Sequence, residues 1–431
     1  MSTSETRDLE LVRLVPVARL VVEVQSGPDQ GTRVEGERIR VGTAADNDVV
    51  LTDDAVSKYH VELVGTDAGV QIRDLGSTNG TIAGGLRLGS VLAPLDTTIQ
   101  VGRTQLVVGG AKPAVVELHD DTSLGGTLHG VTPVMRRLFR DVDRAAQQDL
   151  PVLLLGESGT GKELAARALH ERGSRVDGPF VTVDGGALTP TLVASELFGH
   201  ERGAFTGADR QRVGAFERAH GGTLFLDEVG ELSGELQTSL LGVLERRRFQ
   251  RLGGSEEISV DVRVIAATHR DLYSEVNEGR FRLDLYYRLA VLRLEIPALR
   301  DRRPDIPLLV EHFLDELGVE DRERHFPAER IEQLMAHHWP GNVRELRNVV
   351  EATVAMGRPT TLGPPRPRGA GLVVAVEEPY GEARARVLEA FEKRYLTHLL
   401  KSAEGNVSEA ARRGRMNRSH LFTLLRRHGL K

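Results

Sequence analysis

Leu153–Glu163 reads LLLGESGTGKE, and this run decides what the middle of the chain is. A short apolar strand feeds a glycine-rich turn, and the turn opens a helix near Lys162. Gly156, Gly159 and Gly161 let backbone N–H groups face a polyphosphate, and the helix N-terminus adds its dipole. Glu157, Ser158 and Thr160 fill the turn, and Lys162 supplies a point charge for β- and γ-phosphates. An ordinary glycine-rich strand-to-helix turn would not need both flanks. Glu163 stands where the general motif carries a Mg²⁺-binding Ser or Thr, so the strict pattern is broken at that position.

Outward from this turn, PVLLLGE, PFVTVD, TLFLDE and VRVIAATH are continuous apolar strands alternating with helical patterns from about Gly130 to Leu299. Strands of that kind belong to a parallel sheet covered on both faces. Gly221–Glu231, GGTLFLDEVGE, ends one of them on Asp227 and Glu228. Adjacent carboxylates at the end of an apolar strand, downstream of a phosphate loop, suit Mg²⁺ binding by Asp227, directly or through water, and polarisation of an attacking water by Glu228. ATP hydrolysis follows as the expected chemistry. Residues from about Asp305 to Met356 are helical by period.

Of the 431 residues, 40% are hydrophobic and 27% charged, cysteine is absent, and the formal net charge is -6. These values fit a soluble, multidomain globular chain and exclude disulfides and thiolate metal sites. The start, MSTSETRDLE, is too polar for a signal peptide, and no apolar run reaches membrane-spanning length. A cytoplasmic protein without a membrane partner is the expectation. Charge is uneven: from Lys401 to Lys431, eight Lys and Arg face Glu404 and Glu409, a local balance of +6 that suits nucleic acid. The last segment, Asn406–Lys431, pairs a helix at about Val407–Arg413 with a second at about Arg418–His428 across a tight turn. Leu421, Leu424 and Leu425 form one face of the second helix, and Arg418, Ser419, His420, Thr423 and Arg427 the other. That is a helix-turn-helix with a basic reading face. At the opposite end, Val17–Val108 consists of short β-branched runs cut by turns such as SGPDQG and STNG, the pattern of an all-β sandwich or barrel.

Five ordered motifs carry a family resemblance: GESGTGKE, SELFGHERGAFTGA, GGTLFLDEVGE, FRLDLYYRL and WPGNVREL. Together they resemble the AAA+ domain of sigma-54-dependent transcriptional activators, the bacterial enhancer-binding proteins, over roughly Gly126–Met356. The resemblance makes Glu163 a family trait and implies a ring, a hexamer when active, with ATP and Mg²⁺ between subunits. It implies arginine fingers at Arg282 and Arg288, a sensor at Thr268, and a nucleotide contact from the lid at Arg344. Arginine suits these posts because its planar fork stabilises a transferring phosphoryl group. GAFTGA, Gly203, Ala204, Phe205, Thr206, Gly207 and Ala208, is the family's sigma-54 contact; read on its own, the segment leaves Phe205 either tucked under its loop or held out for a partner. Two positions depart from the family. Asp184 replaces an Asn that orients the catalytic Glu, so a carboxylate is expected beside Glu228, the two sharing a proton; the competing reading is that Asp184 turns away and bonds a backbone N–H. His269 replaces the Asn that follows the sensor Thr.

The tail resembles the Fis-type domains of these activators and implies binding to an upstream DNA site. VGTAADNDVVLTDDAVSKYHVEL and DLGSTNGT resemble a forkhead-associated (FHA) domain, a reader of phosphothreonine peptides. By that resemblance Ser57, Lys58 and Asn79 meet the phosphopeptide, and His60 shapes the loop. Thr43 stands where the family has a phosphate-binding Arg, leaving Arg40, Lys58 or Arg73 to compensate. The partner implied is a phosphothreonine protein, a Ser/Thr kinase or its substrate; a degenerate scaffold and a docking site for another protein are the competing readings of this domain. The expected layout is an FHA-like β-sandwich (1–109), a linker (110–125), an α/β P-loop AAA+ domain (126–356, its helical lid from about 300), a second linker (357–381) and an all-α helix-turn-helix domain (382–431). The whole reads as an ATP-driven activator that remodels sigma-54 RNA polymerase. The alternative is a AAA+ unfoldase with a phosphopeptide-binding adaptor, which predicts an aromatic pore loop other than GAFTGA and no DNA-binding tail.

Overall fold

Alternating apolar residues over the first hundred positions build two sheets face to face. The computed structural model describes residues 14–186 and 189–360, then positions 362, 392, 396, 399, 400, 403, 406–414 and 416–427. One sheet contains β1 (Leu14–Ser26), β2 (Arg33–Gly36), β7 (Thr81–Ala83), β8 (Leu86–Leu88), β10 (Thr97–Val101) and β11 (Thr104–Glu117), in the order β2-β1-β11-β10-β7-β8. The other contains β3 (Arg38–Gly42), β4 (Val49–Val50), β5 (Val61–Thr66), β6 (Gly69–Asp74) and β9 (Ser90–Ala93), in the order β4-β3-β5-β6-β9. Leu20, Val22, Ile39, Leu63, Ile72, Ile99 and Leu106 close the space between them. Burying each such side chain is worth about 1.5–3 kcal/mol.

The segment from 110 onward, expected to be a linker, continues as strand: β1 and β11 pair from Leu14↔Glu117 to Ser26↔Gln105. Pro113 and two glycines suggested a break. The register shift between Val17 and Arg19 absorbs the proline as a bulge, where the missing N–H costs no ladder bond.

The second layer system starts at a small hairpin, β12 (Ser123–Leu124) with β13 (Leu128–His129), followed by α1 (Pro133–Ala146). β14 (Val152–Leu155), β15 (Phe180–Asp184), β16 (Thr223–Asp227), β19 (Arg263–Thr268) and β20 (Leu292–Glu295) form a parallel sheet in the order β15-β16-β19-β14-β20. Its faces are covered by α2 (Lys162–Glu171), α3 (Pro190–Phe198), α4 (Ala215–Arg218), α5 (Gly234–Arg246), α6 (Leu272–Asn277) and α7 (Leu283–Leu289); β17 (Arg248–Gln250) and β18 (Glu257–Ser259) form a hairpin beyond α5. Successive strand residues serve opposite cores: Leu153, Leu224, Leu226 and Ala266 enter one, and Val152, Leu154, Phe225, Ile265 and Ala267 the other. That division explains why these strands read as unbroken apolar runs.

A helical lid follows: α8 (Ile306–Glu316), α9 (Arg322–His325), α10 (Ala328–Ala336) and α11 (Asn342–Met356). Its core centres on Trp339, fully buried, whose indole N–H donates to Leu334 O at 2.8 Å. The expected linker 357–381 lies for the most part outside the described residues. The C-terminal unit contains helices Val407–Arg413 and Arg418–Arg427. Asn406 caps the first, accepting from Ser408 N and Glu409 N at 3.0 and 3.2 Å. Ala410, Ala411, Leu421 and Leu425 pack together, as the spacing of the leucines requires. Among the described residues no helix is long and apolar enough to cross a membrane.

Candidate active site

β14 ends at Leu155 and the chain turns through Gly156–Gly161 into α2. Gly159 adopts φ +76°, and a Cβ there would lie 2.4 Å from Gly341 O, so the lid presses directly on this turn. Lys162 is 6% exposed, and its ammonium donates to Gly156 O (2.9 Å) and Glu157 O (3.2 Å) while lying 3.8 Å from Glu228 Oε1. Burial pushes the ammonium below its usual range, and the charges of Glu228 and Asp227 oppose that shift.

Asp227 closes β16 and its Oδ1 accepts from Glu228 N at 3.0 Å. Burial pushes the Asp227 carboxyl up, and the charge of Glu228 adds to the rise. Glu228 adopts φ +51°, a left-handed conformation that costs a non-glycine residue about 1–3 kcal/mol. Its Oε2 accepts from His269 N (3.2 Å) and from His269 Nδ1 (2.6 Å). Of the two readings of Asp184, the backbone bond is the one observed. Asp184 pairs with Asp227 along the backbone register, but its Oδ1 accepts from Gly186 N at 2.8 Å, two residues on. A short carboxylate at a strand end satisfies its own loop more cheaply than it approaches a second carboxylate. Thr268 is buried at the end of β19 and its Oγ1 accepts from Arg270 N at 3.0 Å.

The lid brings residues that the sequence reading did not single out. Asn342, fully buried at φ +52°, donates to Glu157 Oε2 (3.1 Å) and Ser158 O (3.0 Å) and accepts from Leu299 N (2.9 Å). Arg300 forks onto Glu157 at 2.5 and 2.8 Å, and this pair, with Asn342, holds the Glu157 carboxyl below the usual range. Arg302 is 1% exposed, donates to Thr160 O at 2.9 Å, and is pushed down to about 10 by burial. Arg344 reaches Ser158 Oγ at 3.0 Å. The available signal was Asn342, which lies two residues before Arg344 in GNVREL; Arg300 and Arg302 sat in a charge run that resembles a solvated surface.

Arg282 and Arg288 are exposed at the two ends of α7. Arg282 forks onto Asp284 of its own chain at 3.0 and 2.7 Å. Glu163 is exposed on the first turn of α2, facing Arg167 at 3.8 Å. The GAFTGA loop closes on itself: Gly203 N donates to Ala208 O (2.8 Å) and Ala208 N to Phe205 O (3.0 Å). Ala208 is buried, Ala204 and Phe205 are half-buried, and Gly203, Thr206 and Gly207 are exposed. The Phe205 ring meets His200 edge to face with centroids 4.9 Å apart, so it lies between the tucked and the held-out reading.

In the β-sandwich, Ser57 Oγ accepts from Thr78 N (3.0 Å), Asn79 Nδ2 donates to Ala55 O (2.7 Å) and Lys58 is exposed. Buried His60 accepts from Ser57 N at 3.2 Å and donates to Gly80 O at 3.2 Å, which ties the two loops together. Thr43 is half-buried, with its N–H on Ser57 O at 3.1 Å. Of the cations offered as substitutes for the missing Arg, two are engaged elsewhere: Arg40 with the Tyr273 hydroxyl and Arg73 with Asp271 at 2.5 Å. In the C-terminal unit Thr423 and Arg427 are exposed on the second helix. The side chains of Arg418, Ser419 and His420 lie outside the described residues, although their backbone is helical.

Residues 128–295 match the family model described as the sigma-54 interaction domain, 300–365 the AAA+ ATPase lid domain, and 387–422 the Fis family of bacterial regulatory proteins. Residues 23–112 match the cytoplasmic domain of an inner membrane component of T3SS. The transcriptional regulatory protein ZraR of Escherichia coli is 45% identical over 302 residues, 69% of this chain and 68% of that protein. The Nif-specific regulatory protein of Herbaspirillum seropedicae is 53% identical over 231 residues, covering 53% and 43% of the two chains. The crystal structure of NtrX from Brucella abortus in complex with ATP is 39% identical, with a TM-score of 0.50 over 70% of this chain and 69% of that one. On this likeness and on the cradle just described, the chain belongs to the sigma-54-dependent transcriptional regulators, as an ATP-binding AAA+ ATPase with a Fis-type helix-turn-helix and an N-terminal β-sandwich.

Proposed function

We propose that this protein binds DNA upstream of a promoter through its C-terminal helices and, as a ring of copies, uses ATP hydrolysis to convert the sigma-54 polymerase closed complex to the open one. The observation that carries this reading is the convergence on one turn of Lys162 from α2, Glu228 just past β16, and Asn342 and Arg344 from the lid. A lid that touches the phosphate turn can convert nucleotide state into movement. Lys162 exchanges its two loop carbonyls for β- and γ-phosphate oxygens. Glu228, held by His269, orients the attacking water, and Thr268 senses the γ-phosphate from the neighbouring strand. Arg282 and Arg288 reach the nucleotide of the next copy, Arg282 by leaving Asp284. Asp227 fits Mg²⁺, since burial raises its carboxyl and a divalent ion bound by one carboxylate plus phosphates would relieve that cost. Bound there, Mg²⁺ supplies neutralisation of phosphate charge.

Thr206 and Phe205 carry the movement to sigma-54 from the loop tip. The β-sandwich reads a phosphothreonine partner through Ser57, Lys58 and Asn79. Of the three cations weighed in place of the missing Arg, Lys58 is left once Arg40 and Arg73 are engaged, and Arg87 stands at the same edge on Ser77 O at 3.2 Å.

Lys162→Ala should remove ATP turnover while the variant stays folded, because only the phosphate cradle loses its charge. Purified Lys162→Ala protein with ATPase activity close to that of the native chain would reject the nucleotide assignment. For the sandwich, calorimetry on the full chain should show a phosphothreonine peptide binding better than its unphosphorylated twin, with Ser57→Ala weakening it. Equal binding of the two peptides would favour a scaffold role.

A further inference from the structure

The helix Arg418–Arg427 turns its leucines inward. Leu421 and Leu425 are fully buried and pack with Ala410 and Ala411 of the preceding helix, and half-buried Leu424 lies against the same core. Among the described residues of the C-terminal unit, Phe422 is the one large apolar side chain left outside, 51% exposed. Its helical neighbours on that side are polar: Thr423 follows it, Arg426 stands one turn further, and both are exposed with Arg427.

Single exposed rings are ordinary on protein surfaces, so the place of this one has to carry the argument. Phe422 is the fifth residue of the second helix of a helix-turn-helix, and the early residues of such a helix are the ones that reach base edges. From Lys401 to Lys431, eight Lys and Arg stand against Glu404 and Glu409. A surface of that charge is complementary to a polyanion. A phenyl ring has no donor for a phosphate oxygen and none for the oxygen or nitrogen acceptors of a base. The apolar group that the major groove presents is the 5-methyl of thymine.

We propose that Phe422 reads sequence by packing against the 5-methyl group of a thymine in the major groove, with Arg426 and Arg427 holding phosphates beside it. The proposal rests on the reading of the C-terminal helices as the DNA-binding element. The contact selects thymine over cytosine without a hydrogen bond, since cytosine turns an amino group and no methyl toward the groove. The arginines add affinity that is indifferent to sequence, and the ring adds the preference.

Duplexes enriched from a random pool by the full native chain supply the probe, each remade with deoxyuridine in place of thymidine. Deoxyuridine keeps the O4 acceptor and the pairing edge and lacks only the methyl. The native chain should lose about fourfold in affinity for each methyl contacted. Phe422→Ala should bind the thymidine duplex as weakly as the native chain binds its deoxyuridine twin, and should be indifferent to the exchange. Phe422→Leu should regain part of the methyl sensitivity. The slope of log K against log salt should be the same for Phe422→Ala and the native chain, because no phosphate contact is lost. A native chain indifferent to the methyl, or a Phe422→Ala variant as sensitive to it as the native chain, overturns the contact. A Phe422→Ala variant that changes oligomeric state in sedimentation with its methyl sensitivity intact assigns the ring to a contact between copies, and overturns it too. The underlying reading fails differently: a native chain that enriches no duplex rejects DNA binding itself, and the methyl contact with it.

Discussion

Glu228 occupies a left-handed backbone position and accepts two hydrogen bonds from His269, one from the main chain and one from the ring. Glu228, the residue proposed to polarise the attacking water, is therefore held from the β19 side. His269→Ala should lower kcat for ATP by about 10–100-fold with KM little changed, because a carboxylate that loses its orienting donor is misplaced by a fraction of an ångström. His269→Asn, which keeps a donor, should recover much of the loss; equal kcat in the alanine variant and the native chain would show that Glu228 is held by something else. Asp184→Asn should leave the pH–rate profile unchanged, since an amide oxygen can still accept from Gly186 N. A profile that changes shape would bring back the shared proton expected from the family pattern. The position of Asp184 and its two candidate partners were legible from its motif but the choice between them was not, because a side chain of that length chooses between nearby partners by fractions of an ångström.

Among elements, the lid shows how a buried aromatic positions distant polar groups. Trp339 fills the lid core at φ +50°, three residues before Asn342 and five before Arg344. Trp339→Ala should cost about 3–5 kcal/mol of lid stability and weaken nucleotide binding through Asn342 and Arg344. Thermal unfolding and ATP titration of that variant would measure both; full affinity with a destabilised lid would sever the link. The strand-to-helix turn, the acidic strand end and the C-terminal helix Val407–Arg413 were legible because each is set by local pattern: apolar runs, glycine spacing and caps. The extension of β11 to Glu117 was not, since a proline and two glycines mimic a linker until the partner strand β1 is seen to bulge around them. Phe205 was readable only as an unplaced ring, because its neighbour His200 reaches it through loop geometry that has no period.

At the scale of the molecule, the order of domains followed from motifs that carry chemistry, whereas the contact between sandwich and ATPase domain did not. Tyr59 and Asn277 are 218 positions apart, and no periodicity links such residues. The same holds for Arg300 and Glu157, 143 positions apart and paired only once the lid folds back on the phosphate turn. Under the proposed function, hydrolysis at that turn and work at the GAFTGA loop are separable, since Thr206 is exposed on a loop closed on its own backbone. The most direct test is promoter melting by sigma-54 polymerase on linear DNA with ATP, comparing the native chain with Thr206→Ala at matched ATPase rates. The account predicts ATP-dependent melting with the native chain and none with Thr206→Ala, although both hydrolyse ATP alike. Melting by Thr206→Ala equal to the native level would contradict it.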